Sequence, residues 1–352
     1  MSQVHHSSII EQGLRPAYLA IIVWAIILVV NRWAVTTFDA HPWSFTFIQV
    51  LAGGLTLLII AGRGNAKGQN NAKRTLKHGY TWSIGVLRVL DVLFHVSALA
   101  LISATEAEFL NQYTIFISLI FSWFILNRKP APNEFIGILI AGAGLVWLTL
   151  EQEGGFANTA VILMIITSVY SSLQFLIVEL HPESNKALGL KDRCRYTGVV
   201  LVVTSVCFFV GATLLSLLRE FSPEWLQGTG MIYDWVQYTP TLETLFNPAT
   251  ALVAIITGIV LRAPVMYLDF LSIRLLKSEN YAIILGVFGP FAILALELVA
   301  GLMGFVDTES IDSNIIMAGL LITFGSGYVM LMRIWRTNVK RIQGDKDKED
   351  SY

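Results

Sequence analysis

Arg88, Asp91 and His95 interrupt the otherwise apolar stretch GVLRVLDVLFH, residues 85 to 95. On a helix these spacings set the three side chains on one stripe. An ionisable group at mid-bilayer costs about 2.5–3.5 kcal/mol, so such a stripe is expected to face protein or water rather than lipid. The forked guanidinium of Arg88 suits a carboxylate or phosphate, which accepts two parallel hydrogen bonds from it. Asp91 is either its structural counter-ion or part of the same binding wall, and His95 has the chemistry of a proton carrier.

The pattern recurs. Shifting the chain by 174 residues lays residues 84–109 over 258–283, so that Arg88 falls on Arg262 and His95 on Asp269, with Tyr267 beside the second pair. Two arginines meeting across a cavity would offer an anion two forks, with Asp91, Asp269 or His95 neutralising them in the empty site. A third set opens the next apolar block: Glu108, Asn111 and Gln112 are expected at the outer mouth of that cavity, or at an exposed helix end where acids suit the helix dipole. Gly286, Gly289 and Pro290, small or kinking residues in the matching block of the second half, are read as a gate.

These residues sit in a chain of 352 residues, 55% hydrophobic and 14% charged, with a mean hydropathy of +0.63. Its apolar residues come in blocks of about twenty, the length that crosses a bilayer as a helix. Short alternating strands of the porin type are absent from the pattern. Neither cysteine suggests a disulfide framework, and the first apolar block is expected to be a retained helix rather than a cleaved leader.

Ten spans are predicted: 16–37, 42–62, 80–102, 104–126, 133–150, 157–179, 196–218, 249–276, 280–303 and 314–334. Connectors alternate in charge; 63–79 carries Arg63, Lys67, Lys73, Arg74 and Lys77, whereas EQEGGF at 151–156 holds only acids. Basic connectors belong on the cytoplasmic side, which puts both termini there. The expected organisation is a cytoplasmic segment 1–15, a five-helix repeat 16–150, a second repeat 151–336 with an extracytoplasmic insert 219–248, and a charged, unstructured tail 337–352. Five is odd, so the second repeat enters from the opposite face. The result is an all-α inverted repeat with a site near the midplane. Gly53, Gly54, Gly137, Gly142 and Gly144 are expected to let helices approach closely, and most tryptophans to form an interfacial belt.

The order of spans, the segment SATEAEFLNQYTIFISLIFSWFILNRKPAPNEFIGILIAGAGLVWL (103–148) and its counterpart SENYAIILGVFGPFAILALELVAG (278–301) resemble the EamA branch of the drug/metabolite transporter superfamily. The resemblance implies secondary transport, often export, of small metabolites through a cavity lined by the third, fourth, eighth and ninth helices. Many members carry a proline in the fourth helix and a glutamate just after it. Here Phe116 stands at the place matching Pro290, and Asn127 and Arg128 follow the helix.

No HExxH zinc pair and no Ser/His/Asp context is present, so an enzyme is not expected, nor is a metal or cofactor. The leading expectation is a secondary transporter that moves an anionic or zwitterionic, amino-acid-like metabolite across a bacterial inner membrane, with protons as the candidate coupling ion. Nucleic acid is not an expected partner, and oligomeric state is left open. The alternatives are a carrier of amphipathic organic cations or quaternary amines, with Trp24 or Trp123 beside an acid as its cation box, and a lipid-headgroup flippase.

Overall fold

The computed structural model describes residues 4–38, 41–62, 72–99, 101–102, 104–187, 189–221, 241, 243, 248–305 and 313–349. The regular structure among them is helical. The first half comprises α1 (Val4–Phe38), α2 (Pro42–Ala61), a short α3 (Ala72–Lys77), α4 (Gly79–Leu99), α5 (Ala104–Leu110), α6 (Tyr113–Phe124) and α7 (Glu134–Glu151). The second comprises α8 (Thr159–Leu180), a short α9 (Pro182–Lys186), α10 (Leu190–Glu220), α11 (Pro248–Thr257), α12 (Ala263–Leu276), α13 (Ser278–Leu302) and α14 (Ser313–Glu349).

Among the described residues, eight helical stretches are long and apolar enough to cross a membrane: α1, α2, α7, α8, α10, the α11–α12 run, α13 and α14. The other two predicted spans are the most polar and the most broken. α4 carries the Arg88 stripe, and the fourth span divides into α5 and α6 at Asn111 and Gln112. Outward faces are apolar, with Leu139 70% and Phe324 66% exposed. Hydroxyls, amides and ion pairs lie inside, the distribution expected when the solvent is hydrocarbon.

The helices pack mainly as α2 on α10, α4 on α8, α7 on α14, and α1 on α12 and α13. Small residues set the closest approaches. A Cβ on Gly137 would lie 2.6 Å from the Gly325 carbonyl oxygen, one on Gly198 2.9 Å from that of Gly54, and one on Gly53 3.1 Å from that of Gly258. Gly144 is equally tight against α14, 2.8 Å from the Ala318 carbonyl oxygen. Gly142 departs from expectation: its nearest neighbour, a Phe116 ring carbon, is 3.7 Å away.

Two helices extend beyond their predicted spans. α1 begins at Val4, and α14 continues to Glu349 through the tail expected to be unstructured. Lys, Arg and Glu are good helix formers, and a helix already nucleated in the membrane adds residues without a new nucleation cost. Most of the insert 219–248 lies outside the described residues.

Candidate functional site

The third and eighth predicted spans bring their arginines to one ring. The guanidinium carbon of Arg88 lies 5.9 Å from the Trp24 ring centroid, and that of Arg262 lies 5.1 Å from it. The two carbons are therefore no farther apart than the sum of those distances. Trp24 sits at mid-length on α1, not in the interfacial belt. Its face is taken by the protein's own cations instead of standing beside an acid.

Arg88 is well provided with partners. Its Nη1 donates to Gln174 Oε1 at 3.2 Å and its Nη2 to the Met266 sulfur at 3.0 Å, and Asp91 stands 3.8 Å away. Arg262 is different. It is 3% exposed, its Nε has no hydrogen-bond partner, and among the described residues no carboxylate lies within ion-pair distance of it. A buried cation without an acceptor is costly, and the indole face offsets only part of that cost. Arg262 closes a π-helical turn, Gly258–Arg262, in which the Ala263 N–H reaches back to the Gly258 carbonyl. Such turns widen the helix and often mark functional sites.

The acids complete a connected web. Asp91 accepts from Ser171 Oγ at 2.6 Å and interacts electrostatically with His95 on α4 and Glu108 on α5. Asp269 accepts a hydrogen bond from the Tyr281 hydroxyl and interacts electrostatically with Arg88 and Arg262. The Gln174 amide nitrogen, beside Arg88, is buried and has no hydrogen-bond partner among the described residues. Arg88, Asp91, His95, Glu108, Arg262 and Asp269 thus share one interior region. Tyr267 does not join it by a hydrogen bond or ring contact; it packs against the apolar cluster around Met266 and Ile273.

At the break between α5 and α6, tighter turns carry the chain: Gln112 N–H donates to the Phe109 carbonyl and Thr114 N–H to that of Asn111. Asn111 Oδ1 also accepts from Thr114 Oγ1 at 3.1 Å. Glu108 and Gln112 are each 3% exposed, which rules out the exposed helix end. Both face α13: a Cβ on Gly286 would lie 2.3 Å from Gln112 Oε1, and one on Gly289 3.7 Å from Glu108 Oε1. α13 stays helical through Pro290.

Residues 13–150 match one described family. The matching model is that of the EamA-like transporter family. That family is part of the drug/metabolite transporter superfamily, and with the apolar helices it makes the chain a multi-pass integral membrane protein of transporter type. No curated protein matches. Among solved structures, a crystal structure described only as that of a protein shares the fold: 18% identity, TM-score 0.57, 92% of this chain and 97% of the other covered.

The fourth predicted span ends in a turn at Asn127 and Arg128. Asn127 takes the left-handed conformation (φ 56°) and lets the Arg128 N–H return to the Ser122 carbonyl at 2.9 Å. Asparagine tolerates that conformation better than most residues. Arg128 then reaches two acids of the second half, Glu179 at 2.5 Å and Glu279 at 3.0 Å. Glu279 also accepts from Ser122 Oγ, and Glu179 from the Ser278 N–H and hydroxyl. Burial alone would lower the Arg128 pKa, but the two carboxylates hold it above its ordinary value.

His181, between α8 and α9, lies beside this cluster in sequence and is fully buried. Its Nδ1 accepts from the Glu183 N–H, and its Nε2 lies 2.9 Å from Thr81 Oγ1, which donates to the Thr75 carbonyl. That arrangement requires a neutral ring protonated on Nε2. Burial, and then the neighbouring His78, push the His181 pKa down to about 4. Among the described residues, no group of three or more His, Cys, Asp or Glu is placed to hold a metal ion.

Proposed function

We propose that the protein is a secondary active transporter that moves a small anionic or zwitterionic, amino-acid-like metabolite across a bacterial inner membrane, as an exporter. Arg262 carries this reading. A guanidinium buried without an acceptor, facing a second guanidinium across one indole ring, fits a carboxylate or phosphate supplied from outside the protein.

In this reading the chain crosses ten times as two inverted five-helix repeats with both termini cytoplasmic, α4 and α5–α6 supplying the third and fourth crossings. The packing supports it. Exchanging the halves turns α1 on α12 into α8 on α4, and α1 on α13 into α8 on α6, while α2 on α10 and α7 on α14 map onto themselves; all these contacts occur. The tips are reciprocal too: Thr105 of the first donates to Glu297 at 2.8 Å, and Ser122 donates to Glu279 of the second at 3.0 Å. Alternating access then opens the Arg128 cluster on the cytoplasmic side and the Thr105–Glu297 contact on the other, in turn. The acids and His95 of the web suit proton coupling.

The organic-cation reading loses Trp24 to the two arginines. Reconstitution in liposomes discriminates: exchange of labelled amino acids or organic acids that Arg262→Gln abolishes supports the proposal. Exchange of quaternary amines alone, unaffected by that substitution, replaces it with the cation carrier.

A further inference from the structure

Around Gly286, Gly289 and Pro290 the interior presents acceptors. Glu108 is buried, and among the described residues no Lys, Arg or His lies within ion-pair distance of it, whereas Asp91, Glu134, Glu179, Glu183 and Glu279 each have one. The Gln112 amide nitrogen is spent on the Glu108 carbonyl at 3.0 Å. That leaves its Oε1 turned to the Gly286 face of α13. Pro290 has no N–H, so the Gly286 carbonyl four residues before it loses its intrahelical donor. A carboxylate, an amide oxygen and a freed carbonyl therefore line one stretch of the α5–α6/α13 contact. Each is a hydrogen-bond acceptor, and the two side chains are more than nine-tenths buried.

We propose that this niche is the subsite for a substrate ammonium group. An –NH3+ donates three hydrogen bonds and accepts none, which suits an acceptor-rich niche with one carboxylate. Among the described residues Arg262 has no acceptor within hydrogen-bond or ion-pair distance, and Glu108 has no cation; Asp269 also lacks an ion pair, but it interacts electrostatically with Arg88 and Arg262, which Glu108 does not. Asp91 interacts electrostatically with both Arg262 and Glu108, which links them through one acid. A zwitterion satisfies the two at once, its carboxylate on Arg262 and its ammonium on Glu108. The inference rests on the transport reading above and narrows its substrate class from anions generally to amino acids and their ω-amino relatives. The small residues at Gly286 and Gly289 then serve to keep α13 flush against the bound amine. Any larger side chain at Gly286 would collide with Gln112.

Calorimetric titration of the full-length protein in detergent tests this with matched ligands: amino acids, the same acids without the amino group, and the same amines without the carboxyl. The wild type should bind an amino acid at least about tenfold more tightly than its des-amino partner. Glu108→Gln should erase that preference while retaining carboxylate binding. Equal wild-type affinity for the matched pair, or a preference that survives in Glu108→Gln, overturns the ammonium subsite. So does thermal stabilisation by sodium alone that Glu108→Gln removes, which would assign the niche to an inorganic cation. Binding of simple amines through Glu108, with no binding of any carboxylate, would leave the subsite standing and remove the Arg262 anion site instead.

Discussion

Arg88 and Arg262 lie over the same indole ring, at 5.9 and 5.1 Å from its centroid, although they come from different halves of the chain. Two like charges gather there because the ring's negative face attracts both and because Asp91 and Asp269 stand nearby. Replacing Trp24 by Leu should therefore lower the stability of the unliganded protein. Cation–π contacts of this kind contribute about 0.5–2 kcal/mol each, so a loss of about 1–3 kcal/mol is expected from a thermal melt, with Trp24→Phe less affected.

The Arg128 cluster joins the halves through two acids whose side chains are 6% and 7% exposed. Arg128→Gln leaves both without their strongest partner. Breaking a fully buried pair costs about 3–5 kcal/mol; because the Arg128 side chain is itself 35% exposed, about 2–3 kcal/mol is expected here. Adding Glu279→Gln should recover part of the loss, and a double-mutant cycle on melting temperatures measures the coupling.

Stability should depend on pH through His181. Its folded pKa is about 4 against an ordinary value of 6.5, so between those values the unfolded chain binds the proton and the folded one does not. Folding stability is then complete above about pH 6.5, falls as the pH drops, and is unchanged by this group below about pH 4, a loss of up to about 3 kcal/mol. Melts of wild type and His181→Asn across pH 4 to 7 check it. A variant with the same slope as the wild type would assign the effect elsewhere.

Two neighbouring glycines should respond differently to the same change. Gly137→Ala forces a Cβ to 2.6 Å from the Gly325 carbonyl oxygen, whereas at Gly142 the nearest atom is 3.7 Å away. Overpacking costs about 1–3 kcal/mol, so Gly137→Ala should lower the melting temperature and Gly142→Ala should leave it unchanged or slightly raise it.

Much of this was legible in the sequence because charge in an apolar block has few innocent explanations. The Arg88 stripe and its repeat at Arg262 were visible for that reason, and the structure brings them together. Trp24 was legible only as the aromatic of a cation box, without its two arginine partners, and Gln174 not at all, since an aromatic or an amide inside an apolar helix carries no sign of which way it faces. Met266 is plainer still: nothing marks one methionine among eight as the acceptor for an arginine. The π turn at Gly258–Arg262 is defined by its backbone bonding and has no residue-type signature of its own in so short a stretch. Arg128 looked like an ordinary topogenic charge in a loop. Only the tertiary fold supplies Glu179 and Glu279, from more than fifty residues away. Pro290 suggested a gate; the helix α13 continues through it from Ser278 to Leu302.

The most direct test of the account is ligand-induced thermal stabilisation of the purified protein by amino acids, organic anions, nucleotides and quaternary amines, in wild type and Arg262→Gln. A ligand at about 100 times its dissociation constant adds about 2.7 kcal/mol, a readily measured shift. The account predicts stabilisation of the wild type by carboxylate-bearing compounds, lost in Arg262→Gln. Equal stabilisation of both proteins, or stabilisation by quaternary amines alone, would contradict it.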